Sequence, residues 1–485
     1  MNSYPHVTGE VDQSRGGRTT AAFFDFDGTL IAGYSVSSFI QRRALSGDMS
    51  PRELLGQLTA AWQYGVTNTD FTAVLTGSAK SLRGISDSVM KQTAREVYEQ
   101  DLSGNVYPEA RALVEAHLAK GHTVAIVSSA TQYQVQHVAE ELGIEHVLCT
   151  RLEVRDGALT GAIVPPACYG EAKRDAALRF AEEHGINLNR SYFYTDGAED
   201  IPLLERVGFP RPLNPDSKLD NKSRQEGWPV LRFSSRGLPG LTDLFRTGLV
   251  YGSLVGSFLT GLPAYFLNNS KRDLINVAVP TWGDFGCAVA GIDVETEGEQ
   301  HLWSHRPAVF IFNHQSQTDA LILARLLRRD FAGVAKKEIK SNPLVGTILD
   351  AVGTVFIDRG NHDRAVEALQ PAVDSLRNGT SFVISPEGQR SFGYKLGPFK
   401  MGAFHIAMQA GVPIIPIVIR NSSDSMPKHG VIIRPARVSV KVLRPVQTDE
   451  WKVDSIHRHA DEVRNMFLRE LGQLRDENVK LRRVK

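Results

Sequence analysis

Two stretches of the chain place carboxylate and imidazole groups at spacings that suit catalysis. Asp25 and Asp27 lie two residues apart at the end of the short apolar run 21–26. On a strand both carboxylates would leave the same side of the sheet. Two carboxylates that close repel unless a cation lies between them, and Mg²⁺ takes oxygen ligands of this kind. Gly28 lets the chain turn sharply beside them. A surface turn rich in Asp would explain this motif alone; its company raises it. The run 122–127 ends at Ser128, Lys173 opens a helical stretch, and the run 191–195 leads into Asp196-Gly197-Ala198-Glu199-Asp200. Loops at the carboxyl ends of parallel strands converge on one crevice. Lys173 in isolation is a solvated helix lysine.

In the second stretch, Phe310-Ile311-Phe312 runs into Asn313-His314-Gln315-Ser316-Gln317-Thr318-Asp319. A spacing of five fits neither a helix face nor a strand face, so a turn must fold Asp319 back towards His314. The carboxylate would then fix the imidazole tautomer and strengthen the base, the logic of a triad without its serine. A packed His and a helix-capping Asp are the plain alternative, and capping is compatible with catalysis.

These groups need a parallel α/β scaffold. The chain has 485 residues, enough for several cores, and 42% hydrophobic content with 22% charged residues, which excludes a disordered, collagen-like or multi-span protein. Strand-like and helix-like stretches alternate: helices over 110–120 and 172–184, strands over 21–26, 122–127 and 191–195. The alternation resumes from 307, with strands over 308–312, 352–357, 382–385, 412–419 and 438–443 and helices over 319–329 and 363–377. Residues 1–20 lack a signal-peptide core and read as a flexible leader. The stretch 210–239 is rich in Pro, Ser and charge and reads as a linker. Three cysteines, none in a C-x-x-C pair, suit a reduced cytoplasmic setting. The near-neutral total hides an asymmetry: residues 1–235 hold 23 Lys+Arg against 29 Asp+Glu, and residues 236–485 hold 32 against 25. An acidic half suits a metal, and a basic half suits phosphates or anionic lipid. The basic residues are dispersed rather than clustered with aromatics, which argues against nucleic acid.

The first constellation resembles the haloacid dehalogenase (HAD) phosphatases, in the branch that includes phosphoserine phosphatase. The likeness covers roughly 20–235. It implies a Rossmann-like parallel sheet with a helical cap over about 32–105. Asp25 would be the nucleophile and Asp27 the acid/base. Ser128 and Lys173 would bind phosphoryl oxygens. Asp25, Asp27 (through its carbonyl), Asp196 and Asp200 would make the Mg²⁺ site. Two departures, Glu199 before the last Asp and Ser129-Ala130 after Ser128, put phosphoserine as substrate in question. A lipid-phosphate phosphatase or a non-catalytic regulatory module are the alternatives.

The second constellation, with Gly353–Arg359, Ser385-Pro-Glu-Gly-Gln-Arg-Ser391 and Gly411–Pro416, resembles the glycerolipid acyltransferases, in particular 1-acylglycerol-3-phosphate acyltransferase. The likeness covers about 270–450 and implies a second α/β domain. It implies acyl transfer from acyl-CoA or acyl-carrier protein to a lysophospholipid, with His314 as base and Asp319 orienting it. Arg359, Glu387, Gly388 and Arg390 would form the acceptor's phosphate region, Glu387 by orienting Arg359 or Arg390. The usual third motif is F-P-E-G-T-R-S; Ser385 and Gln389 replace Phe and Thr.

Residues 247–270 carry no charge and are flanked by Arg246 and Lys271-Arg272. As a helix they would be ~36 Å long, enough to span a bilayer. Gly248, Gly252 and Gly256 permit close helix contact. A buried core helix, a full span and a helix lying in one leaflet are all open; the lipid substrate implied by the resemblance favours the last, at the cytoplasmic face of the cell membrane. The expected divisions are a leader 1–20, a phosphatase domain 21–235, a linker and membrane helix 236–272, an acyltransferase domain 273–450 and an amphipathic helix with a basic tail 451–485.

Overall fold

In the computed structural model, which describes residues 4–47, 49, 71–341, 345–357 and 370–474, the chain divides into two units, Met1–Leu238 and Pro239–Lys485. The first is built on six strands: β1 (Ala21–Phe24), β2 (Thr123–Thr131), β3 (His146–Arg155), β4 (Ala158–Val164), β5 (Tyr192–Thr195) and β6 (Phe209–Pro212). Their order is β4-β3-β2-β1-β5-β6, with β1 pairing in parallel with both β2 and β5. All four residues of β1 and of β5 are buried, as expected for central strands covered on both faces. The hairpin β3–β4 is antiparallel and was not evident from the sequence.

The helices that matter to the site follow the strands. The helix α1 (Pro5–Gln13) precedes β1, α2 (Ser35–Leu45) follows it, α3 (Pro108–Ala119) starts on a proline, α4 (Gln132–Leu142) follows β2 and α5 (Glu171–Glu183) follows β4. Thr131 and Gln134 form a capping box that starts α4, and Gly143 in the left-handed region ends it.

Two expectations are corrected. The leader is not flexible throughout: α1 buries Val7 and Val11, and Glu10 pairs with Arg211 on β6. An apolar stripe too short to stand out in a polar segment is enough to dock it. The supposed linker begins too early, because β6 and a helix over Ser217–Glu226 lie inside it and belong to the first unit. The expected cap falls partly on residues outside those described. Behind β5, Tyr194, His117 and His122 form a buried relay. The Tyr194 hydroxyl lies 2.9 Å from His117 Nε2, the two Nδ1 atoms lie 2.9 Å apart, and His122 Nε2 lies 2.9 Å from the Arg15 carbonyl. One direction of donation satisfies all four ring nitrogens with both rings neutral.

The second unit has seven strands: β7 (Ile292–Glu297), β8 (Val309–Phe312), β9 (Phe331–Lys336), β10 (Val355–Ile357), β11 (Ser381–Ile384), β12 (Ile414–Arg420) and β13 (Ala436–Val442), in the order β10-β9-β11-β8-β12-β13-β7. Only β12 and β13 run antiparallel. Two long helices lead in, α6 (Leu241–Asn268) and α7 (Lys271–Ala290); α8 (Asp319–Leu327) follows β8, α9 (Gly402–Ala410) precedes β12, and α10 (Ile456–Glu470) closes the unit. The amphipathic C-terminal helix is therefore no appendage: Ile456, Ala460, Val463 and Phe467 of α10 enter the same core as Phe382 and Phe404. The helix expected over 363–377 is seen as Gln370–Arg377, its first part lying outside the described residues, as does the basic tail from 475.

The long helix α6 carries the uncharged stretch as far as Asn268, Pro263 included. Only 17% of its most apolar window is buried, and Leu241, Phe245, Leu259, Phe266 and Leu267 are each more than 60% exposed, so it is not a core helix. The close contacts also differ from expectation. A Cβ on Gly248, Gly252 or Gly256 would meet nothing, whereas one on Gly261 would lie 2.4 Å from the Leu274 carbonyl oxygen of α7. Gly283 and Gly286 of α7 likewise admit α8, where a Cβ would meet Arg325 N at 2.3 Å and Leu321 Cδ2 at 2.4 Å.

Candidate active sites

In the first unit the chemistry gathers where β1, β2 and β5 end. Asp25 is fixed by its backbone, donating to the Tyr194 carbonyl at 2.9 Å, and its Oδ1 accepts from Phe26 N at 2.6 Å. The Lys173 ammonium, 1% exposed near the start of α5, lies 3.0 Å from Asp25 Oδ2 and 2.7 Å from Asp200 Oδ2. Burial opposes that charge, but Asp200 and Asp25 outweigh it and hold the ammonium above its usual range. Asp200 also accepts from Thr195 Oγ1 at 2.5 Å. Asp196 sits over Gly28, where a Cβ would come 2.0 Å from its Oδ2, and Gly28 itself has φ +70°. Ser128, 1% exposed, lies at the same end of β2.

Asp27 faces differently. Its carboxylate accepts from Ser35 N at 2.7 Å and Ser35 Oγ at 3.1 Å, and Gln134 Nε2 donates to that hydroxyl at 2.8 Å. Burial pushes Asp27 up to about 7 against the pull of the Ser35 donors, which suits a group that must carry and release a proton.

The donor set has the oxygen chemistry Mg²⁺ requires. Burial, then repulsion from Asp25, raises Asp196 to about 8, burial also raises Asp200, and Asp200 Oδ1 is buried with no hydrogen-bond partner among the described residues. One lysine does not compensate these buried carboxylates, and a divalent cation would. No group of three His, Cys, Asp or Glu side chains among the described residues is preformed as a metal centre. The Asp27 side chain is turned onto Ser35, so only its carbonyl is left for a cation.

In the second unit the turn after β8 folds back as its spacing requires. His314 Nδ1 lies 2.8 Å from Asp319 Oδ2, and the amides of Gln315 and Ser316 donate to the same oxygen at 2.8 and 2.9 Å. Asp319 is fully buried at the first position of α8, where the helix dipole favours its charge. Asn313 fixes the strand end to β12 by two bonds with Ile419, at 2.7 and 2.8 Å. His314 opens on a cavity of about 1390 Å³ lined by Tyr251, Phe258, Trp282, Leu321, Val334 and Ile406 among others.

Glu387 departs from expectation. Among the described residues it bonds not to Arg390 but to other donors, accepting from His314 N at 2.9 Å, Ser391 Oγ at 2.6 Å and Gly397 N at 2.8 Å. A carboxylate can accept several donors at once, and here it ties the third motif to the base-bearing turn. Burial raises its pKa against those donors. Gly388 has φ +73° and a Cβ there would crowd Lys400 Nζ at 3.0 Å. The Arg390 guanidinium is half-buried, with Nη1 unpartnered among the described residues; burial lowers its pKa, opposed by Asp319. Arg359 lies outside the described residues.

Known proteins resemble the two units separately. The family model for haloacid dehalogenase-like hydrolases matches residues 22–205, and that for acyltransferases matches 293–420. A Mycobacterium tuberculosis protein named "Probable phosphatase" is 33% identical over 44% of this chain and 76% of its own length. The first unit belongs to the haloacid dehalogenase-like hydrolases. The second carries an acyltransferase domain: the 1-acyl-sn-glycerol-3-phosphate acyltransferase of Saccharomyces cerevisiae is 35% identical over 38% of this chain. The match spans 62% of the yeast protein. The crystal structure of the 1-acyl-sn-glycerophosphate acyltransferase of Thermotoga maritima is 25% identical, covering 48% of this chain and 98% of that one, with a TM-score of 0.41.

Several residues of the hydrolase site carried no readable signal. Ser35 and Gln134 are single polar residues in helical stretches, and only the fold brings them to Asp27. Glu199 folds over Gly197, where a Cβ would come 2.5 Å from its Oε1, and burial raises its pKa.

Proposed function

We propose that the chain is a two-site lipid enzyme. Its acyltransferase unit would pass an acyl group from acyl-CoA or acyl-carrier protein to 1-acylglycerol 3-phosphate, giving phosphatidate for phospholipid biosynthesis. The observation that carries this reading is the His314–Asp319 pair at the wall of a large apolar cavity. Asp319 holds the Nδ1 proton, leaving Nε2 to take the proton of the acceptor hydroxyl. That oxygen attacks the thioester carbon, and the thiolate leaves with the proton His314 returns. Arg390 and Gly388, with Arg359 by resemblance, receive the acceptor's phosphate. The exposed apolar face of α6 rests in one leaflet at the cytoplasmic face of the membrane. Incubating the purified chain with acyl-CoA and a panel of lysophospholipids tests the reading; absence of any diacyl product sinks it.

The hydrolase unit acts on phosphomonoesters. Asp25 attacks phosphorus, Lys173 and Ser128 hold the phosphoryl oxygens, and Asp27 protonates the leaving oxygen and then takes a proton from water. Asp25, Asp196, Asp200 and the Asp27 carbonyl would hold Mg²⁺, which when bound neutralises the carboxylates and the phosphoryl charge. Glu199 adds negative charge beside this site, which disfavours phosphoserine with its own carboxylate and favours a glycerol or lipid phosphate. Phosphate release from a panel of such esters, with and without chelator, separates these substrates; no release from any ester leaves the unit a regulatory module.

A further inference from the structure

One hydroxyl on the wall of the acyltransferase cavity stands out among the described residues. Ser385 Oγ is buried without a hydrogen-bond partner among the described residues. The residue follows β11 directly. Continuing the parallel register of Phe382 with Val309, Val383 with Phe310 and Ile384 with Ile311 sets Ser385 beside Phe312, two residues before His314. Ser385 and His314 both line the cavity. The neighbouring amides are already engaged: His314 N on Glu387, Gln315 N and Ser316 N on Asp319, Ser391 N on the His314 carbonyl and Gly388 N on the Ser385 carbonyl. A buried donor without an acceptor is destabilising, and a ligand oxygen is the partner the cavity can bring to it.

We propose that Ser385 donates to the ester carbonyl of the acyl chain already present on the acceptor, and so sets specificity for acylated over alkylated acceptors. The inference rests on the acyltransfer reading above. An acylglycerol phosphate presents three oxygen groups near the reacting carbon. The reacting hydroxyl gives its proton to His314 and the charged phosphate goes to Arg390. The ester carbonyl remains, attached to a chain that belongs in the apolar cavity. Phenylalanine, usual at this place in the motif, cannot donate, so the chemical step has no need of this hydroxyl. Its role is recognition.

The test compares kcat/KM of the purified full chain for 1-acylglycerol 3-phosphate and for its 1-O-alkyl analogue, which lacks the carbonyl. Wild type is expected to favour the acyl acceptor roughly tenfold, the worth of one hydrogen bond in a dry site. Ser385→Ala should bring the ratio to about one, and Ser385→Thr should retain it. The ratio is internal to each variant, so a partly misfolded preparation does not distort it. Equal use of the two acceptors by wild type, or an unchanged preference in Ser385→Ala, overturns the inference and leaves acyl transfer standing. No transfer to either acceptor overturns the acyltransfer reading and this inference with it.

Discussion

The two catalytic centres handle buried charge in opposite ways. In the hydrolase unit four aspartates, Asp25, Asp27, Asp196 and Asp200, crowd the strand ends around a single buried lysine, and burial drives three of them towards neutrality. In the acyltransferase unit each carboxylate is matched locally: Asp319 takes an imidazole and two amides, and Glu387 takes two amides and a hydroxyl. The first arrangement has the charge that a cation would compensate. The second meets its carboxylates with donors from the protein and positions a base, leaving Asp319 Oδ1, Ser385 Oγ and Arg390 Nη1 without hydrogen-bond partners among the described residues. The difference predicts which substitutions damage the fold and which only the chemistry.

The sharpest break comes from exchanging the two nucleophilic systems. Asp25→Asn should abolish phosphate release and leave acyl transfer intact, and His314→Ala should lower acyl transfer by about 10²–10⁴ and leave phosphate release intact. Parallel assays on each purified variant check this; loss of both activities in either variant breaks the separation. Next in size is Lys173→Met, which strands buried carboxylates and should destabilise the hydrolase unit by about 3–5 kcal/mol. Glu387→Ala removes acceptors from three donors and should cost about 1–3 kcal/mol, read by chemical denaturation. A larger loss for Glu387→Ala than for Lys173→Met would invert the comparison.

Smaller effects test the helices. Gly261→Leu should cost about 1–3 kcal/mol because its side chain would strike α7, whereas Gly252→Leu should stay within about 0.5 kcal/mol. Equal losses would show that the helix pair packs along the glycine repeat after all. The smallest effect is the pH dependence contributed by the His117–His122 pair of the hydrolase unit. Burial, then His122, holds His117 well below 6.5, and burial also lowers His122. Groups with depressed folded pKa values stabilise above the unfolded value and lose that contribution as pH falls through the folded one. The raised pKa values of Asp27, Asp196 and Asp200 act in the opposite sense, so the pair is read by difference: the denaturation midpoint of wild type relative to that of His117→Gln should decline as pH drops below about 6.5.

Much of this was legible in the residues. Ordered motifs at strand ends pointed to Asp25, Asp27, Ser128, Lys173, Asp196 and Asp200, of which Asp25, Lys173 and Asp200 are in direct contact, and the spacing of five required the turn that joins His314 to Asp319. Such features are local and periodic. Features made by long-range packing were not legible: α1 docks on a polar segment through Val7 and Val11, Ser35 reaches Asp27 across a turn, and the glycines that admit a neighbouring helix are Gly261, Gly283 and Gly286 rather than the regular repeat. The bonds of Glu387 to His314 N, Ser391 Oγ and Gly397 N were not legible either, because a motif names residues without saying which donors will surround them.

The central claim is that His314, with Asp319, drives acyl transfer independently of the hydrolase unit. Product analysis of labelled acyl-CoA and 1-acylglycerol 3-phosphate with purified wild type, Asp25→Asn and His314→Ala tests it most directly. Phosphatidate is predicted from the first two and not from the third. Undiminished phosphatidate from His314→Ala would contradict the account.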